Sequence, residues 1–289
     1  MNSTRAAAPR KRTMSLRWRA LPSYVLLGLA LMFLLFPIYW MFLTATLHDD
    51  RLLSYPPVFL PAPSSLFLHP FARIFVNRPV FQWLINSLYV SGLTTVISLS
   101  ISALGGYSLS RIKTPESQVM GGMLLLVRML PGTLLIVPLY MVFHRLHLID
   151  NLVTLVVANT SYIIPFGVWM MKGFFDGIPR EIEESAQVDG CTIFGAFVRV
   201  ALPLSRPGLV ATAMYCFVLS WGEFLFARTL INSAQKGTIT AGVTTYIGDM
   251  NISWNDMMAA SLLACLPVLL IFLFLEKHLV RGLVAGSIK

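Results

Sequence analysis

An acid-rich polar segment, Glu181–Pro203, lies within an otherwise apolar chain and is the clearest candidate for a functional contact. It combines carboxylates with apolar side chains such as Ile182 and Phe194, which is typical of an amphipathic helix–turn–helix. The carboxylates belong to Glu181, Glu183, Glu184 and Asp189. Helices that lie on a membrane surface are usually basic, so this composition favours docking into a groove on a partner protein.

Two charged residues, Arg128 and Glu223, fall inside apolar runs. A charge at the centre of a membrane helix costs about 2.5–3.5 kcal/mol, so such residues usually face the bundle interior or a water-filled path. We therefore predict that both lie near a translocation path, where Tyr215 and Trp221 could stack on sugar rings. Contact with a partner subunit or a backbone carbonyl is the alternative for the charges, and ordinary packing is the alternative for the aromatic rings.

The chain carries none of the common patterns for nucleotide binding or catalysis. It has no G-x-x-x-x-G-K loop, no H-E-x-x-H zinc pattern and no G-x-S-x-G nucleophile elbow. The closely spaced His144 and His147 have no third ligand nearby, and Cys191, Cys216 and Cys265 lack metal-ligand spacing. We expect no enzyme activity, metal or cofactor on this chain, and reduced cysteines that serve packing.

The composition is that of an integral membrane protein. Of the 289 residues, 56% are hydrophobic and 12% are charged, whereas soluble domains carry about 25% charged residues. The net charge of +9 does not indicate nucleic acid, because the basic residues lie between long apolar runs and form no continuous face. The expected surroundings are membrane lipid.

We predict an all-α fold with six transmembrane helices in one domain, residues 22–289, because six segments provide the roughly 20 apolar residues that a span needs. A basic arm, residues 1–21, precedes them, and the loop 179–207 joins the fourth and fifth spans. The first apolar run is too long for a secretory signal. The predicted spans are residues 22–43, 86–110, 119–143, 152–174, 208–227 and 257–280.

The distribution of basic residues predicts the orientation. With the N-terminus inside, fifteen Lys and Arg residues fall in inner segments and six in outer ones, which agrees with the positive-inside rule. Both termini and the acidic loop are then cytoplasmic. The outer loops Thr44–Ile85, which is rich in proline, and Ile231–Asp256 either meet an external binding protein or cap the helix bundle.

The acidic loop resembles the EAA loop of bacterial ABC importer permeases. That pattern is E-A-A, three residues, G, nine residues and I-x-L-P. The corresponding residues here are Glu184-Ser185-Ala186, Gly190 and Val200-Ala201-Leu202-Pro203. Ser185 replaces an alanine and Val200 an isoleucine, which are small changes of volume.

Other stretches are similar to the carbohydrate branch of that family, the maltose permease G-type subunits. These stretches are Asn86-Ser87-Leu88, Gly106-Tyr107-Ser108-Leu109-Ser110-Arg111, Met129-Leu130-Pro131 and Ser220-Trp221-Gly222-Glu223-Phe224. The C-terminal tail is also similar, and the resemblance implies that Gly282, Gly286 and Lys289 reach the ATPase interface.

The resemblance implies a type I importer architecture in the bacterial inner membrane. This chain would form half of the path for a carbohydrate, with a second six-span permease, two ATPase subunits and an external solute-binding protein as partners. ATP and Mg²⁺ would bind to the ATPase and not to this chain. The residues that couple the permease to the ATPase would be Glu183, Glu184, Ala186, Asp189, Gly190, Leu202 and Pro203.

Two other classes, a secondary transporter and an intramembrane enzyme, agree less well with the sequence. An ion-gradient-driven secondary transporter usually shows internal repeats, but the two halves of this chain show no convincing repeat, and the acidic loop would have no role. An intramembrane enzyme needs a convergent set of catalytic residues, which the sequence lacks.

Overall fold

The computed structural model describes residues 14–52, 54–61, 66–248 and 252–287, and within these ranges all regular structure is helical. The helices are α1 (Met14–Thr46), α2 (Asp49–Leu52), α3 (His69–Asn77), α4 (Val80–Arg111), α5 (Pro115–Met129), α6 (Gly132–Arg145), α7 (Leu152–Asp176), α8 (Arg180–Val188), α9 (Ile193–Ala196), α10 (Leu202–Leu204), α11 (Arg206–Trp221), α12 (Leu225–Leu230), α13 (Ile239–Val243) and α14 (Trp254–Ser287). A π-helical stretch, Phe197–Ala201, separates α9 from α10.

Four helices are long and apolar enough to cross a membrane: Pro22–Thr46 of α1, α4, α7 and Trp254–Leu275 of α14. Two bent pairs raise the number to six if each pair counts as one span. α5 and α6 meet at 95°, and Ile193–Leu204 meets α11 at 79°. The predicted all-α fold is confirmed, and the segment predicted as the third span is bent between α5 and α6.

The break in the third span lies at Pro131. Leu130 before it is extended, with φ −69° and ψ 127°, as expected for a residue that precedes proline. Pro138 and Pro165 also lie in apolar runs, but α6 and α7 continue through them. The fifth span differs as well, because α11 ends at Trp221 and the short α12 follows after a turn.

α4 and α7 form the centre of the bundle, and small residues let them approach closely. A Cβ atom at Gly106 would lie 2.7 Å from the backbone nitrogen of Lys172, and one at Gly167 would lie 2.3 Å from Ser102 Oγ. α1 is peripheral, with most of its large apolar side chains exposed between Tyr24 and Phe36. Its helix begins at Met14, so residues 14–21 of the predicted arm are helical and precede the apolar span that starts at Pro22. Residues 1–13 lie outside the described part.

The loops Thr44–Ile85 and Ile231–Asp256 lie together at one end of the bundle. Arg73 forms an ion pair of 2.8 Å with Asp256, and the indole of Trp83 donates a 2.6 Å hydrogen bond to the carbonyl of Ala234. The amide of Asn86 donates to the carbonyls of Gln235 and Gly237. The two predicted outer loops therefore form one continuous surface, opposite the end that carries α8.

Candidate functional site

α8 begins after Pro179 and presents a mixed apolar and acidic surface away from the bundle. Val188 is 87% exposed and Ile182 is 44% exposed, and Glu184 and Asp189 are also exposed. Because positions three or four apart share a helix face, Glu184 and Val188 lie side by side.

Gly190 ends α8 with a φ of +92°, a left-handed conformation that favours glycine. The N–H of Cys191 returns to the carbonyl of Ala186 at 2.9 Å. The chain then enters α9, where Thr192 accepts a 3.0 Å hydrogen bond from Gly195 N–H. Ile193 and Phe194 follow, 68% and 66% exposed. We define the loop surface as the exposed Ile182, Glu184, Val188, Asp189, Ile193 and Phe194.

Glu183 points in the opposite direction, into the bundle, and is 3% exposed. Its carboxylate accepts a 3.0 Å hydrogen bond from Arg111 Nε and a 2.7 Å hydrogen bond from the hydroxyl of Tyr107. Arg111 also forms an ion pair with it at 2.5 Å. Glu183 is thus held by α4 and is not part of the loop surface.

The remaining predicted coupling residues are packed more closely than Glu184 and Asp189. Ala186 is half-buried, and Leu202 and Pro203 are half-buried in α10. Leu202 packs against a buried cluster that includes Phe175, Phe197 and Ala201. The structure therefore divides the predicted set into an exposed group and a group that joins the loop to the spans.

A cavity of about 790 Å³ opens between α5 and α7 beside the start of α8. Its wall includes Gly121 and Gly122 of α5, Trp169 of α7, and Arg180 and Glu181 of α8. α8 is therefore supported from the side of α4 and α7, while the side toward α5 is open.

Arg128 and Tyr215 lie in one aromatic cluster within the membrane-spanning region. The Arg128 guanidinium lies 4.6 Å from the ring centre of Tyr162 and 6.0 Å from that of Phe166. The Phe166 ring centre is 4.9 Å from that of Tyr215. Within the described residues, Arg128 Nη1 and the Tyr215 hydroxyl are buried without a hydrogen-bond partner.

Glu223 lies at the turn between α11 and α12. Its carboxylate accepts hydrogen bonds of 2.6 Å from Phe226 N–H and 3.0 Å from Ala227 N–H, so it satisfies donors at the start of α12. It also lines a cavity of about 180 Å³ with Asn159 and Tyr162. In the part of the chain that the structure describes, Arg128 and Glu223 do not pair.

Trp221 packs away from this cavity. It is 5% exposed, it stacks on Phe217 at 5.6 Å, and its indole N–H donates a 3.0 Å hydrogen bond to the carbonyl of Ala264 in α14. Lys289 lies outside the described residues. Gly282 and Gly286 fall in the last turns of α14, where only the backbone is described.

Sequence reasoning missed Tyr107 and Arg111 as functional candidates and included them only in a stretch similar to the maltose permeases. Their spacing of four residues places them on one face at the end of α4, which was an available signal. The partner, Glu183, lies 72 residues further along the chain, and no local pattern identifies that pairing. Among the described residues, no cluster of His, Cys, Asp or Glu could hold a metal ion.

Comparison with known proteins identifies the class of this chain. Residues 102–284 match the family model for the binding-protein-dependent transport system inner membrane component. The inner membrane ABC transporter permease protein YcjP of Escherichia coli K12 is 32% identical over 98% of this chain and 99% of its own length. The diacetylchitobiose uptake system permease protein DasC of Streptomyces coelicolor is 33% identical over 89% of this chain and 92% of its own length.

The fold has a counterpart in a solved structure. A chain of a bacterial ABC transporter involved in the import of the acidic polysaccharide alginate aligns with a TM-score of 0.76 and 19% identity, covering 93% of this chain and 99% of that one. ABC permeases are transport subunits whose ATPase is a separate chain, so the ion-gradient alternative is wrong. The chain belongs to the family of binding-protein-dependent transport system inner membrane components, as a multi-pass permease subunit of an ATP-driven ABC importer.

Proposed function

We propose that this permease forms half of a translocation path for a carbohydrate and that its loop surface docks into a groove on a separate ATPase. A second six-span permease completes the path, and two ATPase subunits with ATP and Mg²⁺ drive it. An external solute-binding protein delivers the substrate, in keeping with the family description. The diacetylchitobiose and alginate systems among the similar proteins support a carbohydrate substrate.

The loop surface carries this proposal. It offers apolar side chains, Val188 and Phe194 among them, together with the carboxylates of Glu184 and Asp189. An exposed apolar patch rimmed by charges is typical of a protein interface, and a short amphipathic helix suits a groove. The C-terminal tail, with Gly282, Gly286 and Lys289, is proposed to reach the same ATPase, as the family resemblance implies.

We infer that the α8 end faces the cytoplasm, with both termini on that side. By sequence, the segments on this side hold fifteen Lys and Arg residues and those on the other side hold six, and the positive-inside rule assigns the richer side to the cytoplasm. The fifteen include Arg111, Lys113, Lys172, Arg180, Arg199 and Arg206. The surface formed by the two outer loops then faces outward, where it can receive the binding protein.

Within the membrane, the proposed path passes Glu223 and the cluster of Arg128 and Tyr215. The cavity beside Glu223 also presents the polar side chains of Asn159 and Thr133. Such convergent polar groups within spans are typical of a substrate path. Trp221 packs against α14, so it is not part of the proposed path.

Val188→Asp tests the docking proposal. Because Val188 is 87% exposed on α8, the change leaves the bundle packed but places a charge where an apolar contact is expected. We expect the tagged permease to retain its partner permease and lose the ATPase on purification, with uptake falling at least about tenfold. The measurement is ATPase recovered per permease, followed by uptake into cells.

The matched control is Val76→Asp on α3, at the opposite end. Val76 is 84% exposed, so the same substitution is made in a similar environment, and ATPase recovery should equal that of the wild type. Wild-type ATPase recovery and uptake in Val188→Asp would refute docking through the loop surface.

A further inference from the structure

The end of α4 is joined to α8 by two reciprocal arginine contacts. Arg111 of α4 reaches Glu183, and Arg180 of α8 reaches back to the carbonyls of Ser110 and Arg111 at 3.0 and 2.8 Å. Arg180 and Glu183 are three residues apart and share the face of α8 that meets the bundle. One face of α8 is thus bound to α4, while its other face forms the loop surface.

The end of α7 is part of the same junction. Arg111 Nη1 donates to the carbonyl of Phe175 at 3.0 Å, and Nη2 donates to that of Ile178 at 3.3 Å. The hydroxyl of Ser110 donates to Asp176 at 2.7 Å. The Phe175 carbonyl also accepts a 3.0 Å hydrogen bond from Ile178 N–H, so the guanidinium adds a second bond there. A single guanidinium therefore ties α4, α7 and α8 together.

Aromatic packing encloses the junction. The Tyr107 ring lies 5.5 Å from Phe175 and 4.7 Å from Phe197, measured between ring centres. The side chains of Arg111 and Glu183 are only 14% and 4% exposed. Buried charges attract strongly and keep a fixed geometry, whereas one left unpaired is strongly unfavourable. The ion pair is therefore expected to stay intact when α8 moves toward α4 or away from it.

α4 carries this junction to the other end of the bundle. It is 32 residues long, which corresponds to about 48 Å at 1.5 Å per residue. At its far end, Trp83 and Asn86 bond to residues 234–237, and Ser87 Oγ accepts a 2.8 Å hydrogen bond from Ile239 N–H. Both ends of α4 are thus fixed by specific polar contacts to the loops on their own side.

We propose that Glu183 and Arg111 are positioning residues that transmit displacement of α8 into α4, and through it to residues 234–239 at the opposite end. The proposal rests on the ATPase docking at the loop surface. It assigns Glu183 to force transmission inside the permease and leaves Glu184 to the ATPase contact. A chain of packed and hydrogen-bonded residues can carry energetic coupling between distant sites. A role in coupling is established by measuring the coupling energy directly.

A double-mutant cycle on the assembled transporter in proteoliposomes tests the proposal. Glu183→Gln, Arg111→Gln and the double variant are compared for uptake and for stimulation of ATPase activity by substrate-loaded binding protein. We expect Glu183→Gln to retain the ATPase subunits while stimulation and uptake fall at least about tenfold. If the two residues act through each other, the double variant is no worse than Arg111→Gln.

Glu184→Gln is the matched neighbour, because it makes the same change on the exposed face of α8. It should weaken ATPase retention, whereas Glu183→Gln should not. Three outcomes would each overturn the transmission role. Glu183→Gln could lose the ATPase, or it could keep wild-type coupling. In the third outcome, the effects of Glu183→Gln and Arg111→Gln multiply in the double variant. Failure of the wild-type permease to retain any ATPase would instead overturn the proposed function.

Tyr107→Phe tests the transmission role independently if Glu183→Gln or Arg111→Gln does not fold. It removes only the hydroxyl that donates to Glu183 and retains the ring between Phe175 and Phe197. Loss of one hydrogen bond to a charged group should reduce stimulation at least about tenfold with the complex intact. Wild-type stimulation in Tyr107→Phe would count against the transmission role.

Discussion

At the residue scale, Asp150 fixes the corner between α6 and α7. It has a φ of +61°, and its carboxylate accepts hydrogen bonds from the N–H groups of Asn232 and Ser233. Lys236 lies 3.0 Å from the same carboxylate. Hydrogen bonds from the hydroxyl and N–H of Ser233 hold the pKa of the Asp150 carboxyl well below its ordinary range, aided by Lys236.

Asp150→Asn should lower the thermal unfolding midpoint of the detergent-purified chain, because charge-assisted hydrogen bonds contribute about 1.5–3 kcal/mol. Asparagine tolerates the left-handed backbone, so a lower midpoint in Asp150→Asn reports on the loss of the carboxylate charge. A lowered folded-state pKa contributes stability above the ordinary value near 3.9 and loses it as pH falls toward the folded value. The difference in thermal midpoint between the wild type and Asp150→Asn should be largest at pH 7 and pH 5 and smaller at pH 3. A difference of equal size at all three pH values would contradict this account.

The predictability of the site is clearest at Glu183 and Glu184. Sequence spacing was enough to identify the acidic helix and the glycine that ends it, because the residues involved are neighbours in the chain. It did not distinguish the two adjacent glutamates. Which one turns inward depends on Tyr107 and Arg111, whose position is set by packing between α4 and α7.

At the scale of elements, α4 and α7 are held together by the closeness that Gly106 permits. An added Cβ would lie 2.7 Å from Met171 Cβ and 2.9 Å from the Met171 carbonyl carbon, contacts that only a shift of backbone can relieve. Small residues are used in this way wherever membrane helices pack tightly. The contact lies one turn from the junction of Arg111 with Glu183.

Gly106→Ala should therefore force the two helices apart. Overpacking typically costs about 1–3 kcal/mol, so we expect the thermal midpoint in detergent to fall by about 5 °C. Gly92→Ala on the same helix is the control, because no atom lies within 4 Å of its added Cβ, and its midpoint should not fall. Equal midpoints for the two variants would argue against close packing at Gly106.

Helix breaks were less predictable than helices. Apolar length alone identified candidate spans. Pro131, Pro138 and Pro165 all lie in apolar runs, but of these three only Pro131 lies at a helix break. The difference is tertiary, since α7 is buried along its length and its neighbours keep it continuous through Pro165. A proline in a membrane helix is tolerated where surrounding groups satisfy the freed carbonyl.

At the scale of the whole molecule, α1 and α5 are both exposed but differ in chemistry. No residue of α5 is fully buried, and an added Cβ at Gly121 or Gly122 would meet nothing within 4 Å, while the guanidinium of Arg128 is turned toward Tyr162 and Phe166 of α7. Pro22–Thr46 of α1 carries no charge. We therefore expect lipid to cover α1 and the second permease to cover α5.

Cysteine cross-linking distinguishes these surfaces. In a chain whose three natural cysteines are replaced, Leu126→Cys on α5 should cross-link to the partner permease in membranes. Met32→Cys on α1 should react only with a membrane-permeant maleimide. The two positions are 65% and 67% exposed in the single chain. Equal maleimide labelling of both positions, with no cross-link from Leu126→Cys, would place α5 against lipid.

The class and the all-α architecture were predictable because they follow from apolar length and one loop motif. The pairing of the two outer loops was not, because Arg73 and Asp256 are 183 residues apart and nothing local links them. The same limit applies to the cavity beside Glu223, whose walls come from α6, α7, α11 and α12.

The 95° bend between α5 and α6 also has a consequence for how the chain is made. α5 has 15 residues and α6 has 14, so each is about 22 Å long and shorter than the roughly 30 Å hydrocarbon layer. Neither α5 nor α6 alone is long enough to act as a transmembrane segment during co-translational insertion. We expect the pair to partition as a unit after α6 has left the ribosome, with α4 already in place to fix its direction.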